Sequence, residues 1–126
     1  MSNRSSFTSE YIYSREDYKT IRKRANECGN DKYLNFAPPA SWSNGKETFE
    51  MPIISGKVGA FFRGEEVNIL REFLESFKVN NPVTFIIIPE GHDFEANPLP
   101  IIKMTKQPNG DIDIFTTKTF EKWEHL

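Results

Sequence analysis

"GEEVNILREFLESFKVNNPVTFIII", residues 64–88, is the stretch that sets the fold class. Val67, Leu70, Phe73, Leu74 and Phe77 recur in it at helical spacing, and Ile69 widens the stripe. Residues three, four and seven apart share one face of a helix. The pattern predicts an amphipathic helix over 65–78 that buries Leu70, Phe73, Leu74 and Phe77. Glu66, Arg71, Glu72 and Glu75 are then expected to face water. Glu65 and Glu66 stand in the first turn, where the helix dipole favours anions. Asn80, Asn81 and Pro82 end the helix. Residues 83–88, "VTFIII", are continuously apolar and β-branched, as in a central strand covered on both faces.

Downstream, "IIKMTKQPNGDIDIFTT" (101–117) is a hairpin signature, two alternating runs about Pro108-Asn109-Gly110. Asp111 and Asp113 share a strand face, a spacing that suits a divalent cation but suits solvated charges beside a turn better. "TKTFEKWEHL" (117–126) predicts a short C-terminal helix with Phe120 and Trp123 on one side.

Upstream, residues 1–9 are polar and read as a flexible end. "YIYS" (11–14) is a short strand candidate. Ser14 opens a helix in which Asp17 completes a capping box. Tyr18, Ile21, Ala25 and Cys28 make its apolar face, and Gly29 closes it. Short strands follow at 32–36, 47–54 and 57–62, the first two separated by a loop holding Pro38-Pro39 and an Asn44-Gly45 turn. The expectation is an α+β fold: one mixed, mostly antiparallel sheet of about five to six strands, two main helices and the short terminal helix. Residues 10–126 form its single domain.

Composition narrows the function classes. A chain of 126 residues with eleven Phe and twelve Ile supplies a core without metal or disulfide. Its lone cysteine, Cys28, forms neither an internal disulfide nor a cysteine cluster, and is expected to be a small core residue rather than a reactive thiol. The start lacks an apolar leader and no run approaches a membrane span, so the reading is a cytoplasmic protein with no membrane contact. Codons rich in A and T predominate, which suits an accessory protein of a phage or mobile element. Net charge is −2, split as +3 over residues 1–64 and −5 over 65–126.

No catalytic constellation emerges. The glycines of "SGKVGAFFRG" (55–64) lack phosphate-loop order, and Glu65 and Glu66 would repel a phosphate at the helix that follows. His92 and Asp93 are neighbours in the chain, whereas Asp–His pairs are normally assembled from separate segments. No metal or cofactor is expected.

Two surfaces remain. The connection 89–100 holds three prolines and Glu90, His92, Asp93, Phe94 and Glu95. Long loops of this kind are often functional, although Phe94 and Leu99 would equally anchor a crossover. The stretch 30–46 sets Tyr33, Phe36 and Trp42 among Lys32 and Lys46, with Arg22, Lys23 and Arg24 on the first helix as an extension. Aromatics beside cations grip proteins or stack on bases. The leading expectation is a non-enzymatic binding or regulatory protein with a protein partner. One alternative is a small-molecule binder or small enzyme using the 89–100 loop. The other is weak nucleic-acid binding through Arg22, Lys23, Arg24, Lys32 and Trp42, the least favoured because no base-stacking signature is present.

Overall fold

A computed structural model describes residues 3–28, 33–60, 64–92, 95–96, 99–118 and 122–126. Strand β1 (Asn3–Ser9) leads into helix α1 (Arg15–Cys28) and strand β2 (Leu34–Phe36). A hairpin, β3 (Ser41–Ser43) and β4 (Thr48–Glu50), separates β2 from β5 (Ser55–Ala60). Helix α2 (Glu65–Glu75), β6 (Val83–Pro89), β7 (Ile101–Lys106), β8 (Ile112–Thr117) and β9 (Glu124–His125) complete the order.

The main sheet has the order β2-β5-β1-β6-β7-β8-β9. Every pairing among the described residues is antiparallel, in keeping with the mostly antiparallel sheet expected from the sequence, and the strands are more than the five to six expected. Its first half is two interleaved crossovers. β1-α1-β2 passes over β5, and β5-α2-β6 passes over β1. This is the split β-α-β arrangement called ferredoxin-like, here carrying an extra hairpin between its second and third strands and three strands beyond its fourth. That topology alone names no function.

The flexible end expected at 1–9 is a correction. Residues 3–9 form an interior strand, paired to β5 from Asn3↔Ala60 to Thr8↔Ser55 and to β6 from Ser5↔Pro89 to Ser9↔Phe85. The segment is polar because small serines flank Phe7 on the helix-covered face. Ser5, Phe7 and Ser9 are all buried, and the Ser9 hydroxyl accepts the Ile54 N–H at 2.9 Å. The strand expected at "YIYS" is instead an irregular link. Ile12 is buried and its N–H reaches Pro52 O at 2.9 Å, while Tyr11 and Tyr13 point outward.

Both helices share one core. Tyr18, Ile21 and Ala25 of α1 and Leu70, Phe73 and Leu74 of α2 pack with Phe7, Val58, Phe85, Ile87 and Met104 of the sheet. Cys28 is half-buried against that cluster, as its place on the stripe implied. Ser14 caps α1 by accepting the Asp17 N–H at 3.2 Å. The other half of the capping box does not form. The buried Asp17 carboxylate instead accepts the Asn80 and Asn81 backbone N–H groups at 2.8 and 3.0 Å, tying α1 to the turn before β6. Gly29 lies outside the described residues.

The α2 stripe is buried as the spacing predicts, with one exception on the polar side. Glu66 is buried, because its carboxylate turns back to accept the Gly64 N–H at 2.7 Å at the helix start. Strand β6 is central, fourth of seven, but its faces differ. Val83, Phe85 and Ile87 lie under the helices, while Thr84, Ile86 and Ile88 are half-exposed on a face no described helix covers. Gly56 permits the tight approach of β2 to β5, since a Cβ there would collide with the Asn35 carbonyl. Gly110 turns β7 into β8 at φ 100°, a conformation glycine adopts at no steric cost.

The expected C-terminal helix is not formed by the residues described there. Glu124 and His125 pair with Thr116 and Phe115 as a seventh strand, because the edge of β8 offers backbone groups that β9 satisfies. Trp123 then covers Lys103, whose ammonium lies 4.4 Å from its ring centre. Phe120 lies outside the described residues.

Candidate binding surface

The hairpin of β3 and β4 stands apart from the main sheet. Asn44 organises its tip. The Asn44 side-chain oxygen accepts the Lys46 and Glu47 N–H groups, both at 2.9 Å. Trp42 faces Phe49 across the strands, and their rings stack at 4.6 Å. All six strand residues are exposed, with Trp42 at 51% and Phe49 at 36%. A lone two-stranded hairpin is marginal in water, so its anchoring matters.

Arg22 provides the anchor. Its side chain is buried between α1 and the two stems of the arm. Nη1 donates to Ala37 O at 3.4 Å on the incoming stem, and Nη2 donates to Ile53 O at 3.1 Å on the outgoing one. Nε donates to the Tyr18 hydroxyl at 3.2 Å, and that hydroxyl donates to the Glu50 carboxylate at 3.3 Å. The stems also bond to each other through Met51 N–H and Ala40 O at 2.7 Å. The root therefore carries a relay from guanidinium through phenol to carboxylate.

The second stretch of interest is the link 10–14. Tyr11 and Tyr13 are exposed at 48% and 89%, with ring centres 4.8 Å apart. Between them, Ile12 is fastened to Pro52 at the root of the arm. Of the five large hydrophobic side chains exposed among the described residues, four are Tyr11, Tyr13, Trp42 and Phe49. They sit on two segments joined by that bond.

The residues singled out by sequence separate into different environments. Trp42 is on the exposed arm, and Lys23 is exposed on α1. Arg22 is not the surface cation expected, because the stems' carbonyls and Tyr18 take up its guanidinium. Phe36 is a core-packing ring, 5.7 Å from Phe7 and 4.9 Å from Phe73, not a stacking surface. Tyr33 is half-buried, and its carbonyl accepts the Gly59 N–H at 2.7 Å. Glu90 is exposed, with its N–H bonded to Arg4 O at 3.1 Å. His92 turns back with its N–H on Pro89 O at 3.2 Å, and both of its ring nitrogens are shielded from solvent. Asp93 and Phe94 lie outside the described residues.

Among the described residues, no base-stacking platform is present on the sheet's open face at β1 and β5. Arg4, Ser6, Thr8 and Lys57 stand there, with no ring among them. Asp111 and Asp113 serve the turn, accepting from the Asn109 and Gln107 side-chain amides at 3.1 and 3.0 Å.

Sequence reasoning missed Phe49, Tyr11, Tyr13 and Glu50. The sequence signalled the hairpin but not its register. The Asn44-Gly45 turn marked a hairpin, but a two-residue turn there would pair Trp42 with Glu47, and it is the four-residue loop 44–47 that sets Trp42 opposite Phe49.

No protein-family model matches the chain, and no curated protein or solved structure matches it. No helix among the described residues is long and apolar enough to cross a membrane.

Proposed function

We propose that this chain is a small non-enzymatic binding protein that docks a protein partner through the end carrying the β3–β4 arm. One observation carries the reading. Tyr11, Tyr13, Trp42 and Phe49 are exposed as two ring pairs, on segments joined at Ile12 and Pro52. Aromatic side chains dominate protein interfaces because they bury much area at low entropic cost. Stacking already restricts Trp42 and Phe49, so less freedom is lost on docking. Clustered exposed aromatic side chains on a folded domain favour an interaction site.

The test is native mass spectrometry of the protein purified from its own host, wild type beside a Trp42→Ser/Phe49→Ser variant. A stoichiometric protein partner is expected with the wild type and absent from the variant, at unchanged unfolding temperature. A partner retained equally by both, or a defined turnover with no partner, refutes the proposal.

A further inference from the structure

A cleft of about 450 Å³ opens between α1 and the root of the arm, lined by Tyr18, Lys19, Arg22, Lys23, Asn26 and Glu27 from the helix and Glu50 from β4. We propose that this cleft is a binding site for a phosphate group on a small molecule, which takes the place now held by the Glu50 carboxylate.

The argument begins with Arg22. It is only 9% exposed, yet no carboxylate among the described residues lies within ion-pair distance of it. A buried guanidinium is costly unless an anion and hydrogen bonds compensate it. Its nearest negative charge is Glu50, one hydroxyl removed through Tyr18. Three of its N–H groups have partners, on Tyr18, Ala37 and Ile53. A guanidinium has five such groups, so two have no partner among the described residues.

The surroundings favour a doubly charged anion. Lys19 and Lys23 are one helical turn apart, exposed on the same wall, with no ion-pair partner among the described residues. Glu27 is engaged by Arg24 at 3.8 Å. Among the lining residues, Lys19, Arg22 and Lys23 stand against Glu27 and Glu50, one positive charge in excess, and two once Glu50 is displaced. The donors, a guanidinium, two ammonium groups and the Asn26 amide, recur three, four and seven residues apart on one face of α1, and charge-assisted bonds from Arg and Lys are the ones that hold a phosphate. The volume lies within the range of small-molecule sites. The site differs from the phosphate loop dismissed on sequence, since it uses side chains rather than a glycine-rich backbone.

This inference does not rest on the partner-docking reading, and the two fail separately. The experiment is calorimetric titration of the full chain with inorganic phosphate and with pyrophosphate, and with succinate as the carboxylate counterpart. Saturable binding of the phosphates, tighter than succinate and weakened by salt, is expected. Glu50→Gln removes the competing charge and should tighten phosphate binding about tenfold. Lys19→Ala/Lys23→Ala, at exposed positions that leave the fold intact, should weaken it about tenfold or more. Trp42→Ser/Phe49→Ser should leave it unchanged. No saturable heat with wild type or Glu50→Gln overturns the proposal. So does succinate binding as tightly as phosphate, or binding that survives loss of both lysines.

Discussion

Replacing Arg22 with Met asks whether the arm is held by one side chain. Met keeps much of the apolar stem and removes the three hydrogen bonds. The bonds at 3.2 Å to Tyr18 and 3.1 Å to Ile53 have ordinary geometry, while the 3.4 Å contact with Ala37 is too long to contribute much. A hydrogen bond with a charged partner contributes about 1.5–3 kcal/mol. Against that stands the several-kcal/mol cost of burying a guanidinium with no adjacent carboxylate, which Met does not incur. The balance is a net loss of about 1–3 kcal/mol, or a fall of roughly 4–12 °C in unfolding temperature for a domain of this size. The distribution of that loss is the sharper readout. Amide exchange at Asn44 and Met51, which are bonded within the arm, should accelerate well beyond exchange at the central strand β6. Lys23→Met, at the neighbouring exposed position, should change stability by less than about 0.5 kcal/mol. Arm and β6 amides accelerating equally, or Arg22→Met matching the Lys23 control, would refute the anchoring argument.

Phe73 is 4% exposed and contacts the rings of Phe36, Phe77 and Phe85, so Phe73→Ala should cost about 3–5 kcal/mol in denaturant unfolding. Glu72→Ala, on the exposed side of the same helix, should cost less than about 0.5 kcal/mol. Removing residues 1–9 should abolish cooperative unfolding, because β1 is the strand between β5 and β6; a truncated chain with native circular dichroism and an unchanged melt would show that β1 is dispensable.

What the sequence determined by itself is the part of the fold written in local periodicity. The α2 stripe, the α1 stripe ending at Cys28 and the turn at Gly110 follow from spacing and backbone sterics within one segment. Those features need no knowledge of what lies across the sheet. Tertiary structure decided the rest. β1 is polar, and its place inside the sheet comes from backbone pairing on both sides with serines small enough to fit beneath the helices. Glu124 and His125 became a strand because β8 had an edge to fill, a long-range pairing that helical spacing in "TKTFEKWEHL" does not register.

The candidate site divides along the same line. An exposed Trp42 near an Asn-Gly turn was legible. That Phe36 would turn into the core while Phe49 turned outward was not, since both are Phe in short strands. Arg22 reads as one of three consecutive basic residues, 22–24. Only the approach of two stems fifteen and thirty-one residues further along the chain makes it the buried donor at their junction. Charge and aromaticity are properties of a residue; burial, pairing and the company of Glu50 are properties of the assembled chain.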